Sequence, residues 1–141
     1  MTGTDGDLSS PPPIPRREAR TRALELLFAA DIRDVSVTAL ASDEGLVDTF
    51  TTRLVQTVVE HRLELDQMIG SHAEGWTLER MPVIDRNVLR LGLAELLYVD
   101  DVPPKVAIDE AVELAKQLST DSSPRFVNGI LAAVARERAL L

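Results

Sequence analysis

The sequence predicts an all-α protein, a helical bundle, on three observations. No segment alternates apolar and polar residues as a half-buried strand does. Several stretches instead repeat apolar residues at helical spacing, with Pro, Gly, Asp or Ser at their ends. Hydrophobic residues make up 45% of the 141 and aromatics only 4%, so the core must rest on Leu, Val, Ile and Ala. The length favours one domain. Residues 1–15 read as a disordered Pro-rich tail and 16–141 as the folded unit.

Met1 to Ser10 is Gly, Asp, Ser and Thr with little to bury, and Pro11-Pro12-Pro13 follows as a stiff spacer. Pro15 suits the first turn of helix one, where Leu24, Leu27, Phe28 and Ile32 fall on one stripe. Asp34 to Ala41 is a loop or a short helix. Asp43 can cap the next helix, from about Glu44 to Ile69, with a stripe of Val47, Phe50, Leu54, Val58, Leu65 and Met68, ended by Gly70. Gly75-Trp76 opens a connector. Pro82 to about Val99 is apolar nearly all round, which predicts a central helix packed on several sides. Asp100 to Pro103 stops it. Pro104 starts a helix that buries Ile108, Ala111, Val112, Ala115 and Leu118. Ser123-Pro124 starts the last, carried by Val127, Ile130, Leu131 and Val134.

The net charge of −8 is unevenly spread. Arg16 to Arg22 holds four arginines and one glutamate, a local balance of +3 that leaves −11 on the remainder. A basic patch in an acidic chain suits an RNA contact at one place, with the rest of the surface repelling nucleic acid or attracting a basic protein. Arginines in the opening turns oppose the helix dipole, so helix stability does not explain them. Guanidinium groups pair with phosphates through two parallel hydrogen bonds and stay charged. A solvated basic turn, or an arm paired with the acidic surface, accounts for them equally well on composition alone.

Enzyme constellations are missing from the sequence. There is no cysteine, no Gly-rich phosphate loop with a following Lys, and no nucleophile-elbow serine. His61 and His72 lack metal-ligand spacing, and His61 with Glu64 reads as a surface pair. Asp109, Glu110 and Glu113 read as the solvated side of an amphipathic helix. No metal or cofactor is expected. Without a signal pattern or a long apolar run, the expected location is the cytoplasm. Gly129 within a helix suggests close approach of another backbone. Phe126 lies off its helix's stripe, as a core residue on a wide apolar face or an aromatic that stacks on an unpaired base.

Arg16 to Phe28 resembles the first helix of the NusB family. Asp85-Arg86-Asn87-Val88-Leu89-Arg90 with Glu95-Leu96-Leu97 resembles the fourth, Val102 to Lys116 the fifth, and Phe126-Val127-Asn128-Gly129-Ile130-Leu131 the closing motif. The resemblance runs from about Arg16 to the C-terminus. It implies two three-helix subdomains and a non-enzymatic factor for transcription antitermination in ribosomal RNA operons. Such a factor binds boxA-type single-stranded RNA with NusE, a ribosomal small-subunit protein, within an RNA polymerase antitermination complex. It also implies RNA contacts at Arg16, Arg17, Arg20, Arg22, Lys105, Arg125 and Phe126, and a NusE contact at Asp85, which could equally be a first-turn dipole partner. A homodimer through apolar positions of helix one is a further expectation. Two positions depart from the family pattern: Ser122 stands where many members carry an acid, and Ala94 where some carry Tyr or Trp. The alternatives are a helical protein-interaction module with no RNA role, and a domain of a ribosomal RNA methyltransferase. The methyltransferase needs a cofactor-binding α/β domain that the 141 residues do not contain.

Overall fold

The computed structural model describes residues 13–45 and 48–141. The described residues form six α-helices and one 3-10 turn, without a strand. The helices are α1 (Arg16–Arg33), α2 (Val37–Asp43), α3 (Thr49–His72), α4 (Val83–Tyr98), α5 (Pro104–Leu118) and α6 (Ser123–Glu137), with the 3-10 turn at Leu78–Arg80. No helix among them is long and apolar enough to cross a membrane.

The expected central helix is α4. Every residue from Asn87 to Leu96 is buried, because α1, α3, α5 and α6 all pack against it. Contacts within α1–α3 and between α5 and α6, each with α4, are consistent with two halves that share α4.

Gly92 is what allows α5 and α6 to approach α4. A Cβ there would lie 2.9 Å from Leu131 Cδ1 and 3.0 Å from Ala111 Cβ. The close approach expected at Gly129 is not found: that glycine is exposed, and a Cβ would meet nothing within 4 Å.

Several boundaries differ from the sequence reading. Asp43 closes the short α2 rather than capping α3. Asp48 is the cap, accepting the Thr51 N–H at 2.9 Å, so α3 begins five residues later than expected. Gly70 does not end α3, which runs on to His72. Val47, expected on the α3 stripe, lies outside the described residues, as do residues 1–12 of the expected tail. Of the rest of that tail, Ile14 packs against the core. Ile32 and Leu118, expected inside, are exposed, because each sits at its helix's end beyond the last facing turn.

One ion-pair cluster ties α1 and α3 to α4, and a second pair joins α3 to α6 across the halves. Asp31 of α1 accepts from Arg86 at 2.8 Å, Asn87 at 2.9 Å and Arg90 at 3.0 Å. The Arg86 hydrogen bonds hold its carboxyl well below the usual range. Arg90 continues to Asp66 of α3 at 2.7 Å. At the far end of α3, His72 donates from Nδ1 to the Met68 carbonyl and from Nε2 to Glu137 of α6, both at 2.8 Å. The Met68 carbonyl, then Glu137, raises the His72 pKa. A raised folded value makes this contribution complete below about pH 6.5, the ordinary histidine value, and removes it as pH rises through the folded value. His72→Ala should therefore cost about 0.5–1 kcal/mol at acid pH and less at alkaline pH. Urea denaturation of both proteins near pH 5.5 and 8.5 reads the difference. An equal cost at the two values would remove the charge from the explanation.

Candidate nucleic-acid interface

The arginines that open α1 meet the end of α4 and the start of α5, because α1 runs antiparallel to α4. Arg16 donates to Asp101 at 2.7 Å, and its guanidinium lies 4.2 Å from the centre of the Phe50 ring. Arg17 donates to both oxygens of Glu110, at 3.1 and 2.8 Å. These acids stand 85 and 93 residues along the chain. They offset the dipole conflict that the sequence alone leaves unexplained. Arg17 holds the Glu110 carboxyl below its usual pKa, and Arg16 does the same for Asp101.

Arg20 differs from its neighbours. It is 5% exposed, and its Nε donates to both carboxylate oxygens of Glu95, at 2.9 and 2.8 Å. Its NH1 lies 3.5 Å from Glu110. Buried and paired in this way, Arg20 braces α1 against α4, unlike the exposed Arg16 and Arg17. Arg22 is exposed but on another face, lining a cleft against α2 with Glu25, Arg33 and Glu44.

Two further cations complete the basic end. Arg53 of α3 reaches Asp101 at 3.1 Å, so one carboxylate holds Arg16 and Arg53 together. The sequence carries no signal for Arg53, a lone arginine in an amphipathic helix. Lys105, in the first turn of α5, has a side chain 81% exposed and only a long contact to Asp109, at 3.5 Å. Arg16 and Arg53 thus flank Asp101 and Arg17 holds Glu110, with Lys105 exposed in the first turn of the helix that carries Glu110.

Arg125, Phe126 and Asp85 lie at the opposite end of α4. The ten residues from Asp85 to Glu95 alone span roughly 15 Å. Arg125 is exposed and has no carboxylate partner among the described residues. Phe126 is partly buried. Asp85 is 4% exposed and accepts hydrogen bonds from the hydroxyls of Ser119 and Ser123, the latter at 2.9 Å. It latches the start of α4 to the α5–α6 turn and sits in the first turn of α4, where the dipole favours an acid. A partner contact at Asp85 would have to act through that latch. The surface pair of His61 and Glu64 is present at 3.1 Å, beside a stack of His61 on Tyr98.

A family model described as the NusB family matches residues 17–136. The chain belongs to the NusB family. A transcription antitermination protein NusB from Nocardioides sp. is 50% identical over 128 residues, covering 87% of this chain and 95% of that one. Among solved structures, a NusB of T. maritima superposes with a TM-score of 0.80 at 37% identity, covering 88% of this chain and 92% of its own. A structure titled as antitermination factors NusB and NusE in complex with dsRNA superposes with a TM-score of 0.74 at 28% identity, over 86% and 96% of the two chains. The NusB fold accounts for the order of the helices. It does not make every arginine of α1 equivalent: burial separates Arg20 from Arg16 and Arg17.

Proposed function

We propose that this NusB-family chain is a non-enzymatic, cytoplasmic transcription antitermination factor. It binds boxA-type single-stranded RNA of ribosomal RNA operons together with NusE, within an antitermination complex that lets RNA polymerase read through terminators. The observation that carries the reading is the cluster of Arg16, Arg17, Arg53 and Lys105 at one end of an otherwise acidic fold. These side chains supply phosphate contacts, and so affinity and orientation. Arg125 and Phe126 engage the RNA further along, where unpaired bases can be read. The exposed Ile32 and Val35 at the end of α1 away from Arg16 and Arg17 support a protein contact, with a partner or a second copy.

The test is fluorescence anisotropy with labelled boxA-type RNA and a scrambled control, with and without NusE, at several salt concentrations. Preference for boxA that tightens with NusE is the expected result. No preference under any condition, with NusE still bound, would make the protein an interaction module without an RNA role.

Two variants assign the basic end. Arg17→Ala should weaken binding across sequences and flatten the salt dependence by up to about 0.7 in log–log slope; an unchanged slope would remove its phosphate contact. Asp101→Asn should act in the opposite direction. The Asp101 carboxylate occupies the guanidinium groups of Arg16 and Arg53, and RNA phosphates must displace it. Its removal should tighten RNA binding roughly two- to fivefold at low salt, the modest effect expected of exposed pairs. Weaker binding would show that Asp101 positions the arginines instead of competing for them.

A further inference from the structure

Phe126 shares a surface cleft of about 230 Å³ with Trp76, Met81, Pro82, Asp85, Thr120 and Ser122. Trp76 is brought there by the turn after α3, where Gly75 takes a φ of +74° and the Trp76 N–H donates to the Ala73 carbonyl at 2.9 Å. The positive φ suits glycine and aims the next side chain back over the α5–α6 turn. The indole is left 50% exposed, an unusual position for so large an apolar group unless something covers it. The aromatic pair that stacks in this structure is His61 with Tyr98. Trp76 and Phe126 line one cleft without stacking on each other.

We infer that this cleft is a slot for one unpaired RNA base, held between the Trp76 indole and the Phe126 ring. The inference rests on the RNA-binding reading above and adds Trp76 to it. Two aromatic faces give a stacking surface that any base can use. Thr120 and Ser122 bring hydroxyl-bearing side chains to the cleft lining, where a base presents its hydrogen-bonding edge, whereas the Asp85 carboxylate is already held by Ser119 and Ser123. Arg125, one residue before Phe126 and exposed, supplies a cation for the adjoining phosphate. The volume suits a single ring system, and a paired base within a duplex would first have to leave its stack. The slot therefore selects single-stranded RNA, whereas the basic end contacts phosphates of any strand.

Trp76 is the only tryptophan in the chain, so its emission reports on the slot directly. The experiment titrates the full chain with boxA-type single-stranded RNA, with the same RNA carrying one abasic position at a time, and with its duplex. Trp76→Ala and Phe126→Leu are compared with the parent, and thermal melts confirm that both variants fold. The single strand should change the Trp76 emission and the duplex should not. Trp76→Ala should lose roughly 5- to 100-fold in affinity, the range of one base–aromatic stack. One abasic position should cost the parent a similar factor and cost Trp76→Ala nothing further. Single-strand binding with unchanged emission and an unaffected Trp76→Ala would overturn the slot and leave the RNA function standing. RNA that fails to bind the parent at all would take both readings down. Trp76→Ala that loses NusE but not RNA would assign the cleft to the protein partner and overturn the slot.

Discussion

Glu95→Ala should destabilise the protein by about 3–5 kcal/mol, the cost of leaving one member of a buried ion pair without its partner. Glu95 is fully buried, and the guanidinium it holds belongs to Arg20, which is also buried. Glu110 lies 3.5 Å from the other side of Arg20 and offsets part of the loss. Natural domains are stable by only about 5–15 kcal/mol, so this is a large share. Urea denaturation measures it. Arg20→Met combined with Glu95→Leu should recover most of the stability, since apolar replacement of a whole buried pair is often neutral or better. That double variant also separates two roles for Arg20. A brace can be replaced without loss of RNA affinity, whereas a phosphate ligand cannot. Full stability with RNA binding lost would return Arg20 to the RNA surface. A small cost for Glu95→Ala alone would show that Glu110 suffices as the partner.

Gly92→Val should cost about 3 kcal/mol, at the upper end of overpacking effects. The nearest obstacle, Leu131 Cδ1, is the end of a flexible side chain and can turn aside. Ala111 Cβ cannot, because it is fixed to the α5 backbone. A branched side chain at position 92 therefore forces α5 away from α4 and loosens the seam that α6 closes. Gly129→Ala is the matched control. It sits in a helix with open space around it, so the change should stabilise by up to about 1 kcal/mol through helix propensity and reduced chain entropy. Urea midpoints for the two variants should move in opposite directions. A tolerated valine at 92 would mean that α4 and α5 can separate without loss, and the close approach would not explain the glycine.

Helix existence was legible because it depends on neighbours within a few residues. Val127, Ile130, Leu131 and Val134 recur at helical spacing and are all buried. Apolar residues nearly all round the segment from Pro82 to about Val99 identified α4 as central. The start marked by Pro104 holds as read, and the last helix does begin at Ser123-Pro124, although Ser122 is its cap residue and the Ser123 hydroxyl turns to Asp85 instead of capping. The α3 start was misplaced because Asp43 and Asp48 are both acceptable caps, and only the packing of α2 chooses between them. Of the two helical glycines at issue, the sequence drew attention to Gly129, while the tight contact is at Gly92. A glycine records that a side chain is absent, and the neighbour that would fill the space is 19 or 39 residues away.

The sequence by itself determined an all-helical chain, a central α4, an arginine-rich first helix and the family to which they point. Those properties follow from local periodicity and residue type. The tertiary structure alone decided which charges are available. Arg16, Arg17 and Arg20 are the same residue type within one and a half turns of helix. Packing against α4 and α5 exposes two of them and buries the third, because only the face toward Glu95 is closed from water. The same packing brings Arg53 into the basic end, turns Asp85 inward onto two serines, and sets Trp76 beside Phe126. Each of these pairings joins residues 30 or more positions apart, a distance over which side-chain chemistry carries no information until the helices are packed.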